Sequence, residues 1–363
     1  MLQLTPIELE SLLIESYAKI SAKNAAKLAQ LPLLNQNSQI IASALSNHKH
    51  LQFYDDPTAV EIALDTIDLP KIYSGVDERE KSNDGLGYED HLVLETLRYF
   101  KEDFFRWINK PECPNCRSDG DNMESLGAGR PTTPGPHLIG VIEQYRCRDC
   151  SREVSFPRMN NPVSLLETRR GRCGEWVNCF MLVLKAVLGT DLKLRYIWNY
   201  EDHVWCEYYS RALQKWIHLD PCENSWNEPS LYCNNWGKKM SWVIGVGDDL
   251  IVDLSSKYVT SPEKCIAKSL VADERQIKNA LRRINAKLAH KLWTEIKSDS
   301  KSESECLKRF YDTYLLRNGR EQALLRSATA TKDAGASATD AAVKGRQSGS
   351  SEWTASRGED GSS

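Results

Sequence analysis

Leu192-Lys-Leu-Arg-Tyr-Ile-Trp198, Asn199-Tyr-Glu-Asp202 and His203-Val-Trp-Cys-Glu-Tyr-Tyr209 form one continuous stretch in which two alternating runs flank a polar turn. Alternation of apolar and polar residues is the period of a β-strand, so the stretch predicts two strands joined by a tight connection. Ser210 to Lys215 is polar again, and Trp216-Ile-His-Leu-Asp220 follows as a further short strand, so the last two runs read as an antiparallel hairpin. With the loop spanning Ser210 to Lys215, position 203 falls opposite 220 or 221. His203 and Asp220 then arrive at one end of the sheet, where a carboxylate can orient an imidazole and stabilise its protonated form. His218, on a face shared with Trp216, is the competing base, and Asp202, pointing the other way, is a weaker orienter. Trp205 and Glu207 alternate with His203, where they either line a cleft or pack within the sheet.

Upstream, Gly171-Arg-Cys-Gly-Glu-Trp176 precedes an apolar run from Val177 to Leu188 that stops at Gly189, the pattern of a helix with a glycine C-cap. Cys173 therefore stands at a helix N-terminus. Free backbone N–H groups and the positive end of the helix dipole favour a thiolate there, and cysteines in such settings have pKa values of about 3.5–7.5. The competing reading is a buried structural thiol, which also describes Cys179, Cys206 and Cys222. If the helix end abuts the sheet edge, Cys173, His203 and Asp220 make a nucleophile, base and orienter in that chain order.

Cys113-Pro-Asn-Cys116 and Cys147-Arg-Asp-Cys150 are two Cys-x-x-Cys pairs separated by a Gly- and Pro-rich spacer. Each pair turns two sulfurs toward one point, and four thiolates close the tetrahedral shell of a structural zinc ion. His137 lies between the pairs but is superfluous to a saturated site.

The rest of the chain sets bounds. Its 363 residues, 41% hydrophobic and 27% charged, suit a soluble protein with a core that needs no disulfide staples. No apolar run is long enough for membrane insertion, and the acidic start carries no signal-peptide pattern. The eleven cysteines are then thiols and metal ligands in a reducing compartment. A net charge of -3 offers no general attraction to nucleic acid. Thr5-Pro6-Ile7-Glu8 predicts a capped helix whose Ile7, Leu12, Leu13, Tyr17 and Ile20 either pack on their own domain or dock a partner. A second amphipathic helix is predicted from Asp90 to Ile108.

The segments Gly171 to Trp176, Asp202-His-Val-Trp-Cys-Glu207 and Trp216-Ile-His-Leu-Asp-Pro-Cys-Glu223, together with the cysteine pairs and Trp236-Gly-Lys-Lys-Met-Ser241, resemble cytoplasmic peptide:N-glycanases of the fungal type. The resemblance runs from about Leu92 to Tyr258. It implies an α+β fold with a transglutaminase-like (papain-like) core, an inserted four-cysteine zinc subdomain and flanking helices. The expected organisation is an N-terminal helical region at 1–86 and a catalytic core at 87–262 with the insert at 110–152. C-terminal helices at 263–326 and a disordered tail at 327–363 complete it.

By the same resemblance Cys173 is the nucleophile, His203 the acid and base, and Asp220 its orienter. Cys113, Cys116, Cys147 and Cys150 hold zinc. Glu223 contacts glycan, and Arg195, Trp205, Glu207 and Trp216 support substrate binding. The implied substrates are misfolded, high-mannose N-glycoproteins in ER-associated degradation, in the cytoplasm with a nuclear pool as an alternative. A proteasome shuttle protein docked on the N-terminal helix is the implied partner. Gly345-Arg-Gln-Ser-Gly-Ser-Ser-Glu-Trp353 matches a tail motif of the same relatives, with no role attached. A transglutaminase, a cysteine protease, or a non-catalytic binding protein on the same scaffold are the rival readings.

Overall fold

A computed structural model of the chain describes residues 5–82, 84–333 and 345–361. Five helices open it: α1 (Pro6–Ala29), α2 (Gln39–His50), α3 (Pro57–Thr66), α4 (Leu69–Arg79) and α5 (Tyr88–Tyr99). The capping box at Thr5 forms as expected, with the Glu8 carboxylate accepting from Thr5 N–H at 2.8 Å and the Thr5 hydroxyl accepting from Glu8 N–H at 3.3 Å. Of the two readings open for the apolar residues of α1, packing on their own domain is not the one found. Its small residues Ala18, Ala22 and Ala25 are buried, while Ile7 and Leu13 remain 79% and 62% exposed. Close approach of a long neighbouring helix selects the alanine stripe over the bulkier one.

The helix expected over 90–108 ends sooner. After α5 the backbone widens into a single π-turn at Phe100–Phe104, and Arg106–Trp107 is extended as β1. Two features override the apolar periodicity here. Phe100 and Phe105 pack edge-on against Trp176 at 5.6 and 5.1 Å, and β1 pairs in parallel with β5 (Arg170–Gly171), Trp107 facing Gly171. Between β1 and β5 lie the insert strands β2 (Met123–Gly129), β3 (Val141–Cys147) and β4 (Glu153–Arg158), and then α6 (Pro162–Thr168). The three strands form one antiparallel sheet, so the insert reaches Arg158 and not only residue 152.

Helix α7 (Cys173–Leu188) follows. Trp176, Val177, Phe180, Met181, Leu182, Val183 and Leu184 are all buried, and a helix apolar on every side belongs in the middle of a core. Against it lies a six-stranded antiparallel sheet. Its strands are β6 (Leu194–Asn199), β7 (His203–Ser210), β8 (Lys215–Asp220), β9 (Ser225–Trp226), β10 (Val243–Gly247) and β11 (Ile251–Asp253), in spatial order β11-β10-β6-β7-β8-β9. Mixed helix and sheet of this arrangement is the expected α+β class.

The hairpin register differs from the sequence expectation by a small but decisive amount. Ser210 pairs with Lys215, Glu207 with His218 and Cys206 with Leu219, so Trp205 is the residue that continues the ladder opposite Asp220. Position 203 is therefore not directly across from 220 or 221. It is the diagonal neighbour of Asp220 on the same face. Had 203 stood across from 221, His203 and Asp220 would have emerged on opposite faces, because one residue of slip inverts every side chain. The closing loop is only four residues, 211–214, because Ser210 and Lys215 are already paired.

Helices α8 (Ser255–Tyr258), α9 (Glu274–Asp299), α10 (Glu303–Phe310) and α11 (Leu316–Asp333) then wrap back, α9 and α10 covering the alanine face of α1. The expected disordered tail is corrected in two places. Residues 327–333 continue α11, and 345–361 lie on the core with a short helix α12 (Ser351–Ser356); residues 334–344 fall outside the described residues. Gly345 makes this return possible, since a Cβ there would stand 2.3 Å from the Asp360 carbonyl oxygen. Arg346 N–H donates to the Glu359 carbonyl at 2.7 Å, closing the segment on itself.

Candidate active site

Cys173 is the first residue of α7 and is partly exposed. The turn before it is tightly built. A Cβ at Gly171 would meet the Glu175 side chain at 2.3 Å, whereas one at Gly174 would meet nothing within 4 Å. Glycine is thus required on one side of the thiol by packing, and on the other it leaves open space. The Glu175 carboxylate accepts from Arg172 N–H at 3.1 Å and binds Arg158 in bidentate fashion at 2.6 and 2.7 Å. Glu143, on β3 of the insert, takes both Arg158 (3.1 Å) and Arg172 (2.7 Å). These forked pairs, stronger than neutral hydrogen bonds, tie the insert to the residues flanking Cys173.

His203 and Asp220 meet in the interior. The His203 Nε2 lies 2.9 Å from Asp220 Oδ2, and both side chains are fully closed to solvent. Asp220 also accepts from Cys222 N–H (2.9 Å) and the Tyr232 hydroxyl (3.1 Å). His218, the competing base, is spent elsewhere: its Nδ1 accepts from Glu228 N–H at 3.3 Å, and its Nε2–H donates to Tyr232 Oη at 2.7 Å. A chain of donors therefore runs from His218 through Tyr232 to Asp220. That chain leaves His203 to donate Nε2–H to the carboxylate and keep Nδ1 as its basic nitrogen. His203 Nδ1 is buried with no hydrogen-bond partner among the described residues, as a base awaiting a proton would be. Trp205, Tyr232 and Trp236 wall the imidazole at 5.6, 5.2 and 4.9 Å between ring centres.

The charges are set by burial. Burial pushes the His203 pKa well below its ordinary value, with the Arg346 guanidinium adding to the effect. It raises the Asp220 carboxyl, against the pull of His218 and Arg346, and raises the Cys173 thiol, against Arg346. His218 is lowered to about 4, chiefly by burial.

The expected substrate-binding residues divide. Glu223 is near the triad and partly exposed, but its carboxylate accepts the backbone N–H groups of Gln347 (2.9 Å) and Ser348 (3.0 Å). Arg195, Trp205 and Glu207 are 1%, 0% and 0% exposed, each packed within the interior. Arg195 pairs with Glu207 and with Glu321 (2.6 Å) and stacks on Trp216 at 4.1 Å, while Lys257 (2.6 Å) and Tyr258 complete the shell of Glu207. A buried carboxylate so surrounded is held at about 2 despite burial. These six residues are a rivet between the sheet and α11. Tyr232, Trp236 and Arg346 reach the site without having been assigned a role from sequence. The tail motif around Arg346 and the Trp236–Ser241 match were the signals that could have flagged two of them.

The four cysteines converge. Their Sγ atoms all lie within 4.8 Å of one another, with Cys113–Cys150, Cys116–Cys147 and Cys116–Cys150 at 3.5, 3.4 and 3.6 Å. Tetrahedral zinc with Zn–S bonds of about 2.3 Å needs sulfurs about 3.8 Å apart, so the cage fits such an ion. The Ser118 hydroxyl and N–H lower the Cys116 thiol to about 6, the direction a thiolate ligand requires.

A cysteine on a helix end, presented to a sheet that carries a buried histidine and aspartate, defines the transglutaminase-like class. Residues 133–221 match the model of the transglutaminase-like superfamily, and 199–307 match that of the Rad4 transglutaminase-like domain. Peptide-N(4)-(N-acetyl-beta-glucosaminyl)asparagine amidases are similar along nearly the whole chain. The one from Debaryomyces hansenii is 46% identical over 331 residues, covering 89% of this chain and 86% of its own. That from Saccharomyces cerevisiae is 38% identical over 349 residues, covering 93% and 91%, and that from Rattus norvegicus is 36% identical over 266 residues, covering 71% and 40%. The chain belongs to the peptide-N(4)-(N-acetyl-beta-glucosaminyl)asparagine amidase family. A solved Rad4–Rad23 complex crosslinked to undamaged DNA covers 84% of the chain at 10% identity and a TM-score of 0.42, too loose a match to bear on function.

Proposed function

We propose that this protein is a thiol amidase that cleaves the bond between an N-linked glycan and its asparagine, converting that asparagine to aspartate. The observation that carries the proposal is the 46% identity to a named amidase across 331 residues, in a chain whose candidate base and orienter stand 2.9 Å apart.

The chemistry follows from the groups present. His203 Nδ1 takes the Cys173 proton, and the thiolate attacks the side-chain amide carbon of the glycosylated asparagine. The imidazolium, held by Asp220, returns the proton to the amide nitrogen as the C–N bond breaks, releasing a glycosylamine and leaving a thioester on Cys173. Water then gives a proton to His203 and its hydroxide to the thioester carbon. Aspartate is released and the thiol restored. Backbone N–H groups at the start of α7 are the donors available to the oxyanion.

Cys113, Cys116, Cys147 and Cys150 would hold zinc as a structural ion, since four thiolates leave no position for substrate. Eleven cysteines, none of them in a disulfide, support work in the reducing cytoplasm; the substrates this reading implies are misfolded glycoproteins of the degradation route. No helix among the described residues is long and apolar enough to cross a membrane. The exposed Ile7, Leu13, Tyr17 and Ile20 of α1 support docking of a shuttle protein there, a contact that Leu13→Asp would abolish in a binding titration.

The test is to incubate a denatured high-mannose glycoprotein with the wild-type chain and with Cys173→Ala, reading glycan release and the Asn-to-Asp mass change. Release by the wild type alone is expected. Absence of release, or glutamine-lysine isopeptides in its place, would overturn the proposal.

A further inference from the structure

We propose that Arg346, brought to the site by the C-terminal segment, is a positioning residue that stabilises the thiolate left on Cys173 when His203 takes its proton; this rests on the reading of Cys173 as nucleophile. The guanidinium sits among three indole rings, with centre distances of 5.1 Å to Trp107, 4.7 Å to Trp236 and 4.6 Å to Trp353. Two of those rings locate it between the halves of the site. Trp107 pairs with Gly171, two residues before the thiol, and Trp236 stands 4.9 Å from the His203 ring. Glu223 fixes the register by gripping the two backbone N–H groups that follow Arg346.

The local charge balance leaves room for an anion. The Arg346 side chain is wholly buried, and an aromatic cage relieves only part of the cost of burying a cation. Its one carboxylate, Glu359 at 2.6 Å, is shared with Lys238 at 2.6 Å and Arg357 at 3.3 Å, and Arg357 also binds Asp202 at 2.8 Å. Arg346 Nη2 is buried and has no hydrogen-bond partner among the described residues. An unpaired guanidinium nitrogen in a closed site asks for a counter-charge, and a thiolate on Cys173 supplies one.

The groups facing Cys173 are Glu175 on its own helix, Arg158 from β4, Tyr196 from β6, Asp202 before β7, Cys222 after β8 and Arg346 from the tail. Arg158 is already neutralised by Glu143 and Glu175, so Arg346 is the cation left to favour the thiolate. Consistently, it acts on the thiol more strongly than any other charge there, opposing the upward push of burial.

The test is the rate of Cys173 alkylation by iodoacetamide as a function of pH, read by mass on the peptide that carries it, in full-length wild type, Arg346→Gln, Arg346→Met and Arg346→Lys. Removing the charge is expected to raise the alkylation midpoint by about one pH unit, roughly a tenfold loss of thiolate at a fixed pH below it, while lysine keeps the midpoint near wild type. Methionine fits an aromatic cage and serves if glutamine does not fold. An unchanged midpoint in the neutral variants would overturn the proposal. So would faster glycan release by them, which would make the tail an inhibitory strap. Glycan release by Cys173→Ala sinks the nucleophile reading instead, and leaves the midpoint measurement standing as its own result.

Discussion

Ser348 donates its backbone N–H to the Glu223 carboxylate at 3.0 Å, joining a residue beside the triad to one near the end of the chain. With the companion bond from Gln347, this is the polar anchor of the returning segment. Hydrogen bonds to a charged group contribute about 1.5–3 kcal/mol when well enclosed, and Glu223 is only partly so. Glu223→Ala is therefore expected to speed tryptic cleavage after Arg346 and Arg357 by about tenfold, followed by mass spectrometry of timed digests. Unchanged cleavage would mean that the aromatic cage alone holds the tail.

Asp220 makes three hydrogen bonds in a closed interior, to His203, Tyr232 and Cys222. Asp220→Asn keeps the shape but gives the imidazole a partner that can also donate, which disturbs the tautomer that leaves Nδ1 basic. Glycan release should fall by at least about a hundredfold with little change in KM. Tyr232→Phe, removing one of the three bonds, should lose far less.

Two buried histidines set the acid limit of stability. Burial depresses His203, and it takes His218 from 6.5 to about 4, so the folded chain favours their neutral forms. The stability this gives is complete above about pH 6.5 and is lost as pH falls toward 4, at up to about 1.4 kcal/mol per pH unit for each histidine. Asp220, whose carboxyl is raised, works against the slope. The melting temperature should fall steadily between pH 6.5 and 4, and His218→Gln should flatten that fall. Equal slopes in the two proteins would show that His218 takes up its proton as readily in the folded chain as in the unfolded one.

Glu207 is held by Arg195, Lys257 and Tyr258 with no exposure to solvent. Glu207→Ala would leave Arg195 short of an anion in the interior and should cost about 3–5 kcal/mol, read as a lowered urea midpoint. The glycopeptide KM of whatever fraction remains folded should be unchanged. A raised KM with normal stability would return Glu207 to the substrate.

The insert is a small sheet whose buried apolar residues are few, among them Met123, Tyr145 and Phe156, so the ion should carry much of its stability. Metal analysis is expected to find one zinc per chain. Chelation at 37 °C should loosen Glu143 from Arg172 and lower glycan release together with the melting temperature. Cys116→Ser should reproduce both effects, and normal activity in the metal-free protein would separate the insert from the catalytic turn.

Much of the site was legible because strong local signals coincide with it. The glycine-flanked cysteine before an apolar helix, the paired cysteine knuckles and the Thr5 capping box are all short-range patterns, and each appears where its chemistry requires. Register was harder. Loop length between Ser210 and Lys215 does not by itself determine where pairing stops, and the ladder begins at those very residues, which moves His203 from facing Asp220 to its diagonal. Periodicity left the α1 stripe open and misplaced residues 106–107 for one shared reason: it reports that residues are apolar, not which neighbour will claim them. Least legible was the tail, whose low apolar content resembles disorder until partners far back in the chain, Trp107, Glu223 and Trp236, supply its contacts.

That return of the tail has a consequence in time. Nucleophile, base and orienter, with Trp107 of the cage, have all been synthesised by Asp220, yet Arg346 and Trp353 come much later in the chain. At about 5–20 residues per second, the interval between them is on the order of ten seconds. During it the newborn protein carries a cysteine, a histidine and an aspartate without the cation proposed to stabilise the thiolate, so reactivity is acquired only after Arg346 has been added and its segment has docked.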